Sequence, residues 1–193
     1  VRMRKPSEAG VIEALNKGDI IRSHLNRSTW QLVTKEDYHW MMPLHRERSI
    51  RSWCAFAKQS GNPISDKMMD NSRELLTNIL GGKKHLTRED IIPFYQEIDI
   101  DNAHTVRHLL AVAEAEGIIH NGCTDGRKIT YRLYGKDENK FGCLPKEEAL
   151  ARLATKYFQS HAPAKLALSK KKDRFVTYAN ISRSSRLTKR SRH

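Results

Sequence analysis

The sequence predicts a mainly α-helical protein with small antiparallel β-hairpins, an α+β fold. Two patterns point to it: capped stretches with helical spacing of apolar residues, and β-rich runs that flank polar turns. Between Ser65 and Tyr134 the predicted order is three helices followed by a hairpin, which is the order of a winged helix-turn-helix. A helix and hairpin near the N-terminus repeat the end of that order. The predicted fold class is therefore a tandem winged helix-turn-helix.

The first segment, residues 1–33, is interpreted as the remnant of a first winged helix. A helix is predicted over Glu8–Asn16, because Ser7 precedes it as an N-cap and Gly18 follows it as a C-terminal glycine. Two β-rich runs between Ile20 and Val33 then indicate a hairpin around a polar turn.

Residues 34–62 are predicted to form a helical connector. Thr34 with Asp37 has the spacing of a helix start. Pro43 is expected either to kink this helix or to split it in two. Three aromatic side chains are expected to pack the connector against its neighbours: Trp40, Trp53 and Phe56.

Residues 63–135 form the central winged-helix domain in this interpretation. Its three helices are predicted to begin at the caps Ser65, Thr87 with Asp90, and Asp101. The third helix, Asn102–Glu116, is expected to present a polar face near its N-terminal end and to stop at Gly117. A β-hairpin then reaches Tyr134. In winged helices the third helix enters the major groove of DNA.

The C-terminal part divides into two predicted segments. Residues 136–164 read as a linker and a strongly amphipathic helix that begins at Pro145, the first helix of a third module. Residues 165–193 lack apolar periodicity and are expected to be a disordered basic tail.

The net charge of +13 favours a nucleic-acid partner, but its distribution is uneven. The tail, residues 165–193, contains ten of the 35 basic residues and one of the 22 acidic residues, a balance of +9. Residues 1–164 therefore hold 25 basic and 21 acidic residues, a balance of only +4. The high isoelectric point thus says little about the folded part.

Several site classes find no support in the sequence. The three cysteines are widely spaced without a Cys-x-x-Cys pair, which suits free thiols in a reducing cytoplasm. The nine histidines lack metal-ligand spacing, and no glycine-rich phosphate loop or nucleophile elbow is present, so no metal or cofactor is predicted. No apolar run has membrane-spanning length. Because the chain opens on Val1, we expect an internal fragment.

Twelve residues are predicted to contact DNA, because they combine basic, aromatic and small polar side chains on the hairpins and the third helix. They are Arg22, His24, Arg27, Thr29 and Trp30 in the first hairpin, His104, Thr105, Arg107 and His108 in the third helix, and Arg127, Lys128 and Arg132 in the wing. The alternative is that the charges are solvated surface groups and that Trp30 packs in a core.

Three stretches resemble one protein family. Ile21–Asp37 is similar to a signature with the order Arg, Thr or Ser, Arg, Thr, Val and Glu-Asp. Glu116-Gly117 with Lys128-Ile-Thr-Tyr131 resembles that family's wing, and Pro145–Ala162 resembles its "Pro-x-Glu-Glu-Ala-Leu" helix. The family is that of bacterial winged-helix DNA glycosylases related to the alkylpurine and crosslink-repair enzymes.

The resemblance implies tandem winged helices around a concave DNA channel. It also implies a Gln-x-Gln or Gln-x-Asp motif that positions the attacking water. In the family this motif lies upstream of the helix that matches Glu8–Asn16, so it is expected before Val1. No catalytic residue is therefore expected in this chain. Arg22, Arg27 and Thr29 match the family pattern. Gln31 stands where many members have His.

The tail departs from the family, which continues into a third winged helix after Pro163-Ala164. Residues 165–193 lack that pattern. A truncated gene, a shifted reading frame and a genuine basic extension all stay open.

The function predicted is that of a monomeric, cytoplasmic protein related to base-excision glycosylases that act on alkylated or crosslinked bases. Its partner is double-stranded DNA, without a membrane or a small-molecule cofactor, and this chain lacks the catalytic motif. Two other functions stay open: a dimeric winged-helix transcriptional regulator and a protein-docking module. The sequence does not determine the lesion.

Overall fold

Helices alternate with short antiparallel strands in the computed structural model, which describes residues 7–25, 29–82, 85–125, 128–134 and 144–161. The described elements are α1 (Glu8–Lys17), β1 (Ile20–Ser23), β2 (Gln31–Thr34), α2 (Lys35–Gln59), α3 (Asp66–Ile79), β3 (Leu86–Thr87), α4 (Arg88–Gln96), α5 (Ala103–Glu116), β4 (Ile119–Asp125), β5 (Lys128–Leu133) and α6 (Lys146–His161). The chain divides into two units, residues 1–143 and 144–193. The predicted mainly helical fold with small antiparallel sheets is confirmed.

Side-chain caps begin four helices at the predicted positions. The hydroxyls of Ser7, Thr34 and Ser65 each accept a backbone N–H from the first turn that follows. Thr87 and Asp90 form a reciprocal capping box at α4. Each bond satisfies a backbone donor that has no partner within its own helix. These short-range signals therefore set the starts of α1 to α4.

One predicted helix cap is wrong, and one of the two alternatives for Pro43 is excluded. The cap of α5 is Asn102 and not Asp101, because the Asn102 amide oxygen accepts the N–H groups of His104 and Thr105. Helix α2 runs unbroken through Pro43, so the predicted split does not occur. Pro43 faces solvent, while buried Met42 and Trp53 fix the helix on either side of it.

Two antiparallel sheets follow the predicted hairpins. Strands β1 and β2 pair with Ile20 opposite Thr34 and Ser23 opposite Gln31, which confirms the first hairpin. The second sheet has the order β3-β5-β4, with the turn between β4 and β5 outside the described residues. Sequence analysis did not predict strand β3, because two residues are too few for a periodic pattern.

The core of the first unit forms where α3, α4, α5 and β4 meet. Its buried side chains are Leu76, Leu80, Ile91, Tyr95, Ile100, Val106, Leu109, Leu110, Ala113 and Ile119. A second cluster joins α2 to α5, with Trp53 packed on Ala111 and Val112. Helix α5 is therefore covered on two sides, by α3 and α4 and by α2.

This packing buries four polar residues, two of which were expected to be exposed. Thr105 and His108, expected on the outer face of α5, are only 6% and 3% exposed because α2 lies over that face. His39 and His120 are also buried. The His39 ring bonds the Tyr134 hydroxyl, and His120 packs near Tyr38. A polar side chain on an amphipathic helix can thus belong to an interior hydrogen-bond network.

Candidate nucleic-acid interface

The N-terminal hairpin is fastened to helix α5 by one buried carboxylate. Glu114, 3% exposed, accepts the Ser23 hydroxyl at 2.7 Å and the His24 backbone N–H at 2.9 Å through the same oxygen. Its second oxygen lies 3.3 Å from His24 Nδ1, which donates because a carboxylate only accepts. Three contacts to one carboxylate hold the end of β1 in a defined position.

Trp30 lies on the outer side of this hairpin and keeps 38% of its surface exposed. Its ring centroid is 3.9 Å from that of His24, and the Arg22 guanidinium carbon lies 4.6 Å from it. Arg22 and His24 point to the same side of β1, because successive strand residues alternate sides. The arrangement is a cation–π and ring-stacking contact that orients a large apolar surface toward solvent.

The aromatic contacts continue from the hairpin onto α2. The Trp53 ring lies 5.3 Å from His24 in an edge-on arrangement, and Phe56 lies 5.8 Å from Trp53. Phe56 is 42% exposed, so the prediction that it packs the connector is wrong, whereas buried Trp53 does pack it. We call Trp30, His24, Trp53 and Phe56 the aromatic row; both of its ends are exposed.

A cleft beside the aromatic row adds basic groups from α2. It is lined by His24, Trp53 and Glu114 together with His45, Arg46 and Ser49. The pKa of His45 is lowered by burial and then by the nearby Arg48 charge, which favours the neutral imidazole. Sequence analysis did not assign any α2 residue to the interface.

Of the four residues predicted to contact DNA near the N-terminal end of α5, two are exposed and two are buried. His104 and Arg107 are exposed, as a DNA contact requires. Thr105 and His108 are buried, and His108 Nε2 lies 3.3 Å from the Ser60 hydroxyl. Burial lowers the pKa of His108, and the charges of Arg107 and His104 lower it further. His108 therefore connects α5 to the end of α2 as a neutral group.

The wing strands also place their predicted residues differently. Lys128 is exposed at the start of β5. Arg132 is half-buried, and its Nε donates to His120 Nε2 at 2.9 Å, so part of its guanidinium is used inside the protein. Thr29 is exposed near Trp30. Arg27 and Arg127 lie outside the described residues.

Two further site types receive no support from the described part of the chain. No group of three or more His, Cys, Asp or Glu side chains there is placed to hold a metal ion. None of the helices described is both long and apolar enough to cross a bilayer.

A comparison with known families identifies the chain. A model of the family "DNA glycosylase AlkZ-like" matches residues 1–171. The chain belongs to the DNA glycosylase AlkZ-like family. The resemblance inferred from the three sequence stretches is thereby confirmed.

A solved structure is similar in fold. Streptomyces sahachiroi DNA glycosylase AlkZ aligns with a TM-score of 0.63 and 18% sequence identity, over 84% of this chain and 45% of that chain. At this identity the likeness concerns the fold, and this chain spans less than half the length of that protein. No curated protein matches the chain.

Sequence reasoning missed the residue that organises the surface. Glu114 follows an otherwise apolar run from Leu109 to Ala113, and a carboxylate at the end of a buried stripe was the available signal. Its partners Ser23 and His24 lie about 90 residues away along the chain. Only a long-range contact connects the two segments, so periodicity could not pair them.

Proposed function

We propose that this chain is a DNA-binding portion of a base-excision glycosylase that acts on alkylated or crosslinked bases in double-stranded DNA. One observation carries the proposal: exposed Trp30 rests on Arg22 and His24, and Glu114 holds that hairpin against α5. An exposed indole beside cationic groups is suited to nucleic acid, because bases stack on aromatic rings while phosphates bind cations.

The proposed role of the aromatic row is to receive or support a base that has left the helical stack. A glycosylase must expose the target base before it cuts the N-glycosidic bond. Trp30 and Phe56 supply exposed ring surface, and unstacking by an inserted apolar side chain is a known way to open a base step. Arg22 and Arg46 border this surface and would contact the flanking phosphates.

The second contact region in this proposal is the helix–wing part of the first unit. Three helices, with strand β3 between α3 and α4 and the β4–β5 hairpin after α5, have the order of a winged helix. His104, Arg107 and Lys128 are its exposed candidates for phosphate contacts, and Arg27 and Arg127 stay predictions. The proposal also includes the arrangement of two winged helices in tandem and the division of the chain into the five segments predicted from the sequence.

The proposal assigns binding and not bond cleavage to this chain. Neither form of the family motif that positions water, Gln-x-Gln or Gln-x-Asp, occurs in the 193 residues. We therefore expect DNA binding without excision, by a monomer in the cytoplasm. The free thiols Cys54 and Cys123 agree with a reducing compartment.

The test is a fluorescence-anisotropy titration of the 193-residue chain with random duplexes at several salt concentrations. We expect binding with little sequence preference and an affinity that falls steeply with salt. No duplex affinity at low ionic strength would leave the protein-docking function. A strong preference for one palindrome, bound by a dimer, would instead favour the transcriptional regulator.

The repair part of the proposal needs a second measurement. The protein as it is expressed from its gene, incubated with N-alkylated and with crosslinked duplexes, should release base and leave abasic sites. The matched experiment with the 193-residue chain should give none. Absence of abasic product from both proteins on every substrate would remove the glycosylase function and leave DNA binding alone.

A further inference from the structure

The second half of helix α2 supplies most of the excess positive charge of the chain ahead of its basic tail. Residues 45–59 contain four basic residues and one acidic residue, a balance of +3. All of residues 1–164 together have a balance of only +4. Three of the four net charges that could attract a polyanion to this part of the chain therefore come from one stretch of one helix.

Three of these basic residues form one stripe along the helix. Arg48, Arg51 and Lys58 are separated by three and seven residues, which places them on the same face of an α-helix. All three are exposed, and so is Ala55 between them. Because a helix rises about 1.5 Å per residue, the stripe is about 15 Å long. We call these four residues the basic stripe.

The charges of the basic stripe are not neutralised within the part of the chain that the structure describes. None of its three cations forms an ion pair there. On α1, α3 and α4, by contrast, cations lie beside carboxylates: Lys17 with Glu13, Arg73 with Glu116, and Arg88 with Glu89. Like charges close together on a helix repel one another. A bound polyanion would remove this repulsion.

The basic stripe continues into the aromatic row. Arg48, Ser52 and Phe56 follow one another at four-residue spacing and are all exposed, so they form one ridge of the helix surface. Phe56 is the α2 end of the aromatic row. Arg48 also acts on the cleft beside that row, because burial and then the Arg48 charge lower the pKa of His45, which lines it. The stripe and the row are therefore parts of one continuous surface.

We propose that the basic stripe binds the phosphate backbone of one DNA strand beside the aromatic row. Along one strand of a duplex the charges follow at intervals of about 3.4 Å, so the stripe would face about four nucleotides. An extended polyanion is required, because cations spread over about 15 Å of helix cannot all meet one small anion.

DNA fits this surface better than an acidic polypeptide does. Bases stack on exposed aromatic rings while the backbone binds cations, and Phe56 offers such a ring next to the stripe. The inference rests on the proposed function, to which it adds a contact surface on α2 that the sequence analysis did not assign.

The first experiment uses Ala55→Glu, which changes the basic stripe without removing any of its cations. The new carboxylate would lie four residues after Arg51 and three residues before Lys58, a spacing at which opposite charges pair and support a helix. The variant should therefore fold with its stripe neutralised from within. Ala9→Glu makes the same change at an exposed position of α1 and is the matched control. Urea denaturation checks that both variants are folded.

Fluorescence anisotropy then measures duplex binding by both variants of the 193-residue chain at several salt concentrations. Ala55→Glu should lower the magnitude of the slope of log K against log salt by between about 0.9 and about 1.8, because one or two phosphate contacts are lost. Ala9→Glu should keep the wild-type slope. Equal slopes for the two variants would overturn the proposal, because net charge alone would then govern binding.

A second pair of variants removes cations instead. Arg48→Gln combined with Arg51→Gln should lower the magnitude of the slope by about 1.8, because two contacts are lost. Lys17→Gln combined with Lys146→Gln removes the same net charge from exposed positions of α1 and α6 and should lower it less. Glutamine is about as favourable in a helix as arginine or lysine, so both double variants should fold. The proposal fails if these two double variants bind the duplex alike.

The outcomes separate this inference from the proposed function. If the wild-type chain binds no duplex at low ionic strength, the proposed function fails and this inference fails with it. If the wild type binds and the stripe variants bind equally well, only this inference is overturned, and the hairpin stays the proposed contact surface. In that second case, a polyglutamate probe that binds the wild type but not Ala55→Glu would assign the face to an acidic protein.

Discussion

The N-terminal hairpin and the helix–wing region both carry basic and polar residues, but they use them in opposite ways. In the hairpin, Trp30 stays exposed while the groups beneath it, His24 and Glu114, make the internal bonds. In the helix–wing region, two of the predicted contact residues bond groups inside the protein instead: His108 bonds Ser60, and Arg132 bonds His120.

This difference indicates which region of the chain is better suited to contact DNA. A side chain that meets a ligand needs another group to hold it, and the hairpin has such a support in Glu114. Helix α5 has less free surface, because α2, α3 and α4 together cover it and leave exposed mainly its N-terminal part with His104 and Arg107. The hairpin is therefore the better-developed half of the proposed interface.

Removing the support should have the largest effect. Glu114→Ala leaves the buried Ser23 hydroxyl and the His24 N–H without an acceptor, and we expect it to lower the free energy of unfolding by about 3 kcal/mol. Urea denaturation measures this change. Glu13→Ala, on the exposed face of α1, is the control and should alter stability little, because its ion pair with Lys17 is at the surface. Wild-type stability in Glu114→Ala would show that the hairpin is held by other contacts.

Trp30→Ala should have the second-largest effect, and it should weaken duplex binding more than it lowers stability. Loss of one stacking surface corresponds to about a tenfold weaker duplex affinity. Because Trp30 is exposed, we expect little change in the free energy of unfolding. Phe158→Ala, a similarly exposed aromatic of α6, is the matched control. Trp30→Phe should retain most of the affinity. If Trp30→Ala binds like the wild type at the same salt, the hairpin is not the contact surface.

A pair of α5 variants tests the exposed and buried residues of the second region. Arg107→Gln should lower the salt slope of duplex binding by about 0.9, since it removes one exposed phosphate contact. His108→Gln should leave the slope unchanged and instead destabilise the protein, because His108 is buried against Ser60. The reverse result would mean that α2 moves away from α5 when DNA binds.

The smallest expected effect is a pH dependence of stability. The folded pKa values of His45, His85 and His108 lie below the ordinary value of 6.5. As the pH falls below about 6.5, the unfolded chain takes up protons that the folded chain resists, so stability decreases on acidification. Urea midpoints at pH 7.5 and 5.5 measure the loss, and His108→Gln should reduce it. Equal midpoints at both pH values would contradict the burial of these rings.

Much of the fold was predictable because its signals are local. Ser7, Thr34 and Ser65 mark the starts of their helices, because each side-chain hydroxyl accepts a hydrogen bond from the backbone N–H three residues later. The hairpin register from Ile20 to Thr34 follows from β-rich runs around a short polar turn. In the candidate site, Arg22, Thr29 and Trp30 were predicted from the same hairpin pattern, and the structure places the Arg22 guanidinium over the Trp30 ring. The sequence left a kink or a split at Pro43 open, and α2 continues through it with Met42 and Trp53 buried on either side.

The amino-acid order by itself determined where helices and hairpins begin and end, and that the chain resembles a DNA glycosylase family. The tertiary structure alone decided which polar groups are available. Whether His104 or His108 meets solvent depends on α2, which packs on α5 from about 50 residues earlier in the chain. Burial is a property of such distant contacts, and residues one turn apart on a helix carry no signal that distinguishes a free face from a covered one.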